Sequence, residues 1–187
     1  DTAPSFLYFH LLDPHTPYIP SPKNRKKMLE EFGLSTKKGE WGSAGLEQTE
    51  VSRFIAQLAA GSKPELIHRG EVVRALYSGC VADSDEAFGL LTDWLKQNNL
   101  YDNALIVVTS DHGEELMDHG SVGHLTTLYR ELVRVPLLVK FPQNRRAGDT
   151  VEDLCQLSQV GPTMLETALG SEALPTQLIP LEQSEDS

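Results

Sequence analysis

The chain has 187 residues, 40% hydrophobic and 23% charged, the balance of a soluble globular domain long enough to bury a real core. Its formal net charge of −11 argues against a nucleic-acid backbone or an anionic membrane surface as partner. No apolar run approaches the ~20 residues that a bilayer demands, so no membrane span is expected.

Residues 5–11, SFLYFHL, are apolar and aromatic almost throughout and predict a strand buried on both faces. His10 sits inside that run and reads first as a satisfied core histidine, second as a functional one. The next stretch, DPHTPYIPSP, carries prolines at 14, 17, 20 and 22, which rule out a helix or a central strand. It is expected to be an extended loop leaving the strand's C-terminal end, with His15 held rigidly between Pro14 and Pro17. Residues 23–70 are polar and interrupted by Gly33, Gly39, Gly42, Gly45 and Gly61, predicting an irregular excursion with one helix near 47–59. Lys23, Arg25, Lys26, Lys27, Lys37 and Lys38 make a basic stretch that reads first as a solvated face. No role is read for His68.

From Gly70 the pattern is regular. Val73, Leu76, Cys80, Ala87, Leu91, Trp94 and Leu95 recur at three- and four-residue spacing, predicting an amphipathic helix over about 71–97. NNLYDN ends it, because asparagine tolerates the left-handed conformation. ALIVVTS (104–110) and VPLLVKF (135–141) predict two more buried strands, and QVGPTMLETALG a helix over about 159–169. Pro162 stands near its first turn and Gly170 at its stop. Residues 171–187 are acidic and are expected to form a mobile tail, separate from a domain spanning 1–170. Cys80 lies on the helical stripe and reads as a buried, inert thiol. With Cys155 it completes the cysteine content, and neither lies in a CxxC or Cys/His cluster, so the redox compartment stays open.

Strands alternating with helices indicate an α/β fold with a largely parallel sheet flanked by helices. Sites on such sheets form beyond the C-terminal strand ends. Two places qualify: the loop with His15, and the turn after 104–110 with Asp111 and His112. At that turn a carboxylate and an imidazole can converge on one cation, a donor pair better suited to zinc, manganese or iron than to calcium or magnesium. Gly113 permits a sharp bend. The competing reading makes Asp111 a helix N-cap beside a hydrogen-bonded histidine. His119 and His124 follow within a glycine-rich loop, each open to reading as ligand, proton donor or solvated residue. Three histidines and an aspartate within fourteen residues, in a chain with six histidines, favour a site.

FLYFHLLDPHTPY, NLYDNALIVVTSDHGEEL, DHGSVGHLTTLYRELVRVPLLVKFP and VGPTMLETALG stand in the order and spacing of the sulfatases. Over about residues 3–170 the chain therefore resembles that family, within the alkaline-phosphatase superfamily. The resemblance implies a sulfuric ester hydrolase in which Asp111 and His112 are metal ligands. It implies that His15 and His124 contact the transferred group, with His119 and His10 in supporting positions. It implies a divalent metal, calcium first, with manganese, zinc or magnesium as alternatives. A sulfated small molecule or glycan would be the substrate, and a secreted, periplasmic or lysosomal location is expected.

The family's paired aspartates and Cys-x-Pro-x-Arg motif, whose cysteine becomes formylglycine, do not occur in these 187 residues. Cys80 in SGCVADS and Cys155 in DLCQLSQ do not match it. The chain is therefore expected to be the C-terminal portion of a sulfatase catalytic domain, inactive alone, with the formylglycine, the remaining ligands and any signal peptide in the remainder of the sulfatase chain. Two alternatives stand beside this. One keeps fold and metal but hydrolyses phosphodiesters or phosphonates, or transfers phosphoglycerol. The other is a non-catalytic, stand-alone binding domain with an exposed sheet edge.

Overall fold

The computed structural model describes residues 4–34, 67–124 and 127–170. The helix expected near 47–59 and the acidic tail 171–187 lie outside them. The chain divides into two compact units, one of Phe9–Asn98 with Thr109–Leu137, the other of Asp1–Tyr8, Asn99–Val108 and Leu138–Ser187.

The first of these units is built on two helices, α1 (Pro22–Glu31) and α2 (Ile67–Gln97). Helix α1 occupies the start of the stretch expected to be irregular. Its signals are local: the Ser21 hydroxyl accepts the Asn24 N–H at the N-cap, and Pro22 fills the first helical position, where its missing N–H is not needed. Its basic residues Lys23, Lys26 and Lys27 lie on the exposed face, as a solvated stretch should. Asn24 and Met28, four apart, turn inward.

Helix α2 begins four residues earlier than its apolar stripe predicts and ends at Gln97, where Asn99 takes a φ of 56°. Val72, Val73, Ala75, Leu76 and Cys80 form the core with Tyr18, Met28, Leu34 and Val122. Only this N-terminal half of the stripe is buried. Ala87 is exposed, Leu91 and Leu95 are half-buried, and Leu90 and Trp94 are 74% and 50% exposed. Burial also pushes the Cys80 thiol up to about 12, consistent with an inert core residue. Gly79 is needed for close approach, since a Cβ there would lie 2.7 Å from the Pro20 ring.

A polar clamp joins the two helices beside this core. Asp83 accepts the Ser21 N–H, the Ser21 hydroxyl at 2.6 Å and the Asn24 side-chain amide at 2.7 Å. The same amide donates to Glu86 at 3.0 Å, and Glu86 meets the exposed Lys23 ammonium at 2.7 Å. Every buried polar atom of Asn24 named here thus has a partner, the condition for burying an amide cheaply. The unit is completed by a short antiparallel pair, β2 (Glu115–Leu116) and β3 (Val122–Gly123), after β1 (Ile106–Thr109), and by a single helical turn, α3 (Arg130–Val133).

In the second unit, β1 pairs with β4 (Leu137–Lys140) in a two-stranded sheet. These are the strands expected at 104–110 and 135–141, but they are half-buried rather than buried. The Lys140 ammonium ties down the preceding turn through the carbonyls of Tyr101, Asp102 and Ala104, the last two at 3.1 and 3.0 Å. Helix α4 (Val160–Leu169) falls where predicted, with Pro162 buried in its first turn and Gly170 closing it at φ 89°.

Residues 5–11 depart most from expectation. They form no strand, and Phe6, Leu7, Tyr8 and Phe9 are 59–75% exposed. An apolar run becomes a buried strand only where a neighbour completes its backbone ladder and covers its faces, and no described strand does so here. His10 is accordingly exposed rather than a core residue.

Candidate active site

The histidines singled out in the sequence gather in the unit that holds α1 and α2. Asp111 and His112 follow directly on the C-terminal end of β1, His124 follows β3, and His15 comes from the proline-rich loop about a hundred residues earlier. The His112 and His124 rings lie 4.0 Å apart between centroids, tilted by 33°. His15 meets His124 edge-on at 5.5 Å. Residues far apart in sequence are thus brought into one cluster.

Each of these three imidazoles is oriented through Nδ1. His15 Nδ1 lies 2.7 Å from the Thr16 carbonyl, His112 Nδ1 lies 2.8 Å from the Gly113 carbonyl, and His124 Nδ1 lies 2.9 Å from Glu114 Oε1. A carbonyl can only accept, so Nδ1 of His15 and of His112 carries the proton and Nε2 is the nitrogen left for a ligand. Asp111 is exposed, and its Oδ1 stands 3.8 Å from His112 Nε2. Partial burial works against its charge, but the His112 N–H at 3.0 Å and the neighbouring His112 and His10 rings outweigh it and hold the carboxyl below the usual carboxylate range. No helix begins at Asp111, so the N-cap reading falls.

Asp111 and His112 present one carboxylate oxygen and one imidazole nitrogen at a separation that a single divalent ion can span. Among the described residues no group of three or more His, Cys, Asp or Glu stands in position to hold a metal ion. The pair fits a divalent metal in kind and would supply two of the ligands such an ion needs.

Gly113 is required for a different reason from the bend read in the sequence. Its φ is not among the positive ones, but a Cβ there would lie 1.9 Å from the Glu131 carbonyl oxygen. Its N–H donates to the Leu132 carbonyl at 2.8 Å, which pins the Asp-His turn to α3. His119 stands apart from the cluster. It stacks on Tyr129 at 3.7 Å, and its Nε2 lies 2.8 Å from Glu131 Oε1 in a contact that is not aligned as a hydrogen bond. These contacts hold His119 to Tyr129 and Glu131 and away from the other three rings.

Three carboxylates and a tyrosine were not legible as site residues. Glu115, 1% exposed, accepts the N–H groups of His119 and Ser121 and so closes the β2–β3 turn from within. Glu131 meets His119. Glu114 anchors His124, and the buried Tyr18 hydroxyl lies beside the Glu114 carboxylate without making an aligned hydrogen bond. Burial first, and the Glu114 charge second, push that hydroxyl far above its ordinary range, so it stays protonated. The only sequence signal for Glu114 was its adjacency to the Asp-His-Gly turn.

Comparison with known proteins identifies the family. The Sulfatase family model matches residues 1–171. The chain is 30% identical over 177 residues to the multifunctional alkaline phosphatase superfamily protein PehA of Trinickia caryophylli, an alignment covering 89% of this chain and 34% of PehA. It is 32% identical over 96 residues to arylsulfatase K of Canis lupus familiaris, covering 51% of this chain and 18% of that protein. Among solved structures it resembles one determined in complex with its substrate D-glucosamine-2-N,6-O-disulfate, with a TM-score of 0.61, 20% identity, and coverage of 89% of this chain and 44% of that one. The chain thus spans about a third of the length of PehA. With this fold, and with the family's pattern met along nearly its whole length, the chain belongs to the sulfatase family, on the alkaline-phosphatase-like fold.

Proposed function

We propose that this chain is the part of a divalent-metal-dependent sulfuric ester hydrolase that supplies two metal ligands, Asp111 and His112, and two groups for the sulfuryl moiety, His15 and His124. The observation that carries this reading is the convergence of the His15, His112 and His124 rings beside Asp111. A bound divalent cation would draw charge from the ester's oxyanion and activate the nucleophile. As imidazolium, carrying a second proton on Nε2, His15 and His124 would donate to the non-bridging oxygens, and one of them would pass that proton to the departing alcohol, a task for which imidazole is suited near neutral pH. A sulfated small molecule or glycan is the substrate class. The metal is calcium on family grounds, with manganese, zinc and magnesium as the alternatives.

The nucleophile expected of the family is a formylglycine. Cys80 is buried and Cys155 is exposed outside any Cys-x-Pro-x-Arg motif, so neither serves. It belongs to the rest of the sulfatase chain, together with the remaining metal ligands. No described helix is long and apolar enough to cross a membrane.

A second reading keeps the same site and changes the ester to a phosphodiester or phosphonate; similarity to a protein named as a multifunctional superfamily member leaves room for it. One experiment separates them. The full-length protein is assayed on 4-nitrophenyl sulfate and on a 4-nitrophenyl phosphonate, with metal content measured in parallel. Asp111→Asn and His112→Ala should each lose metal and at least about a hundredfold in kcat/KM together, in line with what removing a metal-polarised centre costs. Wild-type metal and activity in both variants would remove the pair from the site. A phosphonate preference would establish the second reading.

A further inference from the structure

His124 differs from its two neighbours in how it is held. His15 and His112 are anchored by backbone carbonyls, which no substitution removes. His124 is anchored by a side chain, the Glu114 carboxylate, at 2.9 Å. That carboxylate is 6% exposed and the His124 side chain 20%, so water competes weakly for the contact. Glu114 also lies two residues from His112, on a turn locked by the Gly113–Leu132 hydrogen bond. The same short stretch therefore carries a metal ligand and the anchor of a histidine ten residues further on.

We propose that Glu114 is a positioning residue: it fixes the His124 ring by binding Nδ1, so that Nε2 is the nitrogen offered to the sulfuryl oxygens beside His15 and His112. Without the anchor the ring can flip about its Cβ–Cγ bond and exchange Nδ1 with a carbon. Buried Tyr18, whose hydroxyl lies against the same carboxylate, backs Glu114 from the core side. The proposal rests on the assignment of His124 to the transferred group.

The test uses the full-length protein with four variants, His124→Ala, Glu114→Met, Glu114→Gln and the Glu114→Met/His124→Ala pair. Methionine keeps the length and removes the acceptor, whereas glutamine keeps an acceptor oxygen. Three quantities are read: kcat and KM on 4-nitrophenyl sulfate, affinity for inorganic sulfate by calorimetry, and bound metal. Glu114→Met should lower kcat/KM about 10- to 100-fold, the range seen when an orienting partner is lost, and weaken sulfate binding with metal unchanged. Glu114→Gln should restore most of both, and the double variant should be no worse than His124→Ala alone. Equal damage from Met and Gln, or additive losses in the double variant, would overturn the positioning role. Normal behaviour of Glu114→Met beside a damaged His124→Ala would overturn this inference and leave the site assignment standing. A harmless His124→Ala would overturn both. Nitrogen-15 histidine spectra of the unsubstituted protein give an independent readout: His124 should carry its Nδ1 proton in a hydrogen bond, and a spectrum showing only the Nε2–H form refutes the anchor.

Discussion

The α1–α2 block and the turn that follows β1 use the same kinds of side chain to opposite ends. In the block, polar groups are spent on one another: Asp83 takes two donors from Ser21 and one from Asn24, and Asn24 goes on to Glu86. In the turn, each histidine is fixed through one nitrogen and left with the other: Nδ1 binds Thr16, Gly113 or Glu114, and Nε2 is not used in those bonds. Saturating a polar network contributes stability, whereas half-saturating an anchored ring stores binding capacity. The carboxylates follow the same division, with Asp83 consumed in a clamp and Asp111 exposed beside its histidine.

Substitutions can break this contrast or sharpen it. The largest stability effect should come from Leu76→Ala in the core of the block, where Leu76 is 2% exposed. A buried leucine truncated to alanine costs about 2–5 kcal/mol, and the denaturant midpoint should fall accordingly. Below its own transition the variant of the full-length protein should keep the metal content and ester hydrolysis of the unsubstituted protein. Loss of metal at temperatures where it remains folded would show that block and turn are one energetic unit.

Gly113→Ala should act in the reverse sense. The added methyl meets the Glu131 carbonyl at 1.9 Å and must displace the turn, at roughly 1–3 kcal/mol for overpacking. Activity should drop by a larger factor than stability does, because an ångström of displacement at a reacting group alone can cost about a hundredfold. A variant that loses stability but keeps full kcat/KM would show that the turn tolerates movement.

Asp83→Asn should be the smallest of the three, about 1–2 kcal/mol, since the clamp is only partly buried. Burial alone would raise the Asp83 carboxyl, but the Ser21 hydroxyl, the Ser21 N–H and the Asn24 amide outweigh it and lower it below its ordinary 3.8. A depressed folded value means that the contribution is fully present above 3.8 and is lost as pH falls through the lower, folded value. The stability gap between the unsubstituted protein and Asp83→Asn should therefore be constant at neutral pH and close in strong acid. A gap that widens on acidification would mean the carboxyl is raised, not lowered.

Much of the fold was legible because it is written in short-range pattern. Helix α2 announces itself by a three-four stripe, α4 by its proline and glycine, and β1 and β4 by short apolar runs between turns. Helix α1 was legible too, in Ser21 and Pro22, but the density of prolines before it and glycines after it masked the signal. Residues 5–11 show the converse. Their apolarity describes what the segment would bury, and burial needs a second surface that composition does not specify.

Asp111, His112, His124 and His15 could be named as candidates from one dimension, because residue type at a strand end limits the chemistry and resemblance to the family suggests the parts. What the sequence determined alone was therefore this inventory and the helical and extended segments that carry it. Only the tertiary structure decided that His124 is held by Glu114, that Gly113 serves close approach to Glu131, and that the stripe of α2 is buried along half its length. The reason is physical. Local pattern reflects interactions between residues a few positions apart, whereas anchoring, close approach and burial depend on which distant backbone arrives at the same place.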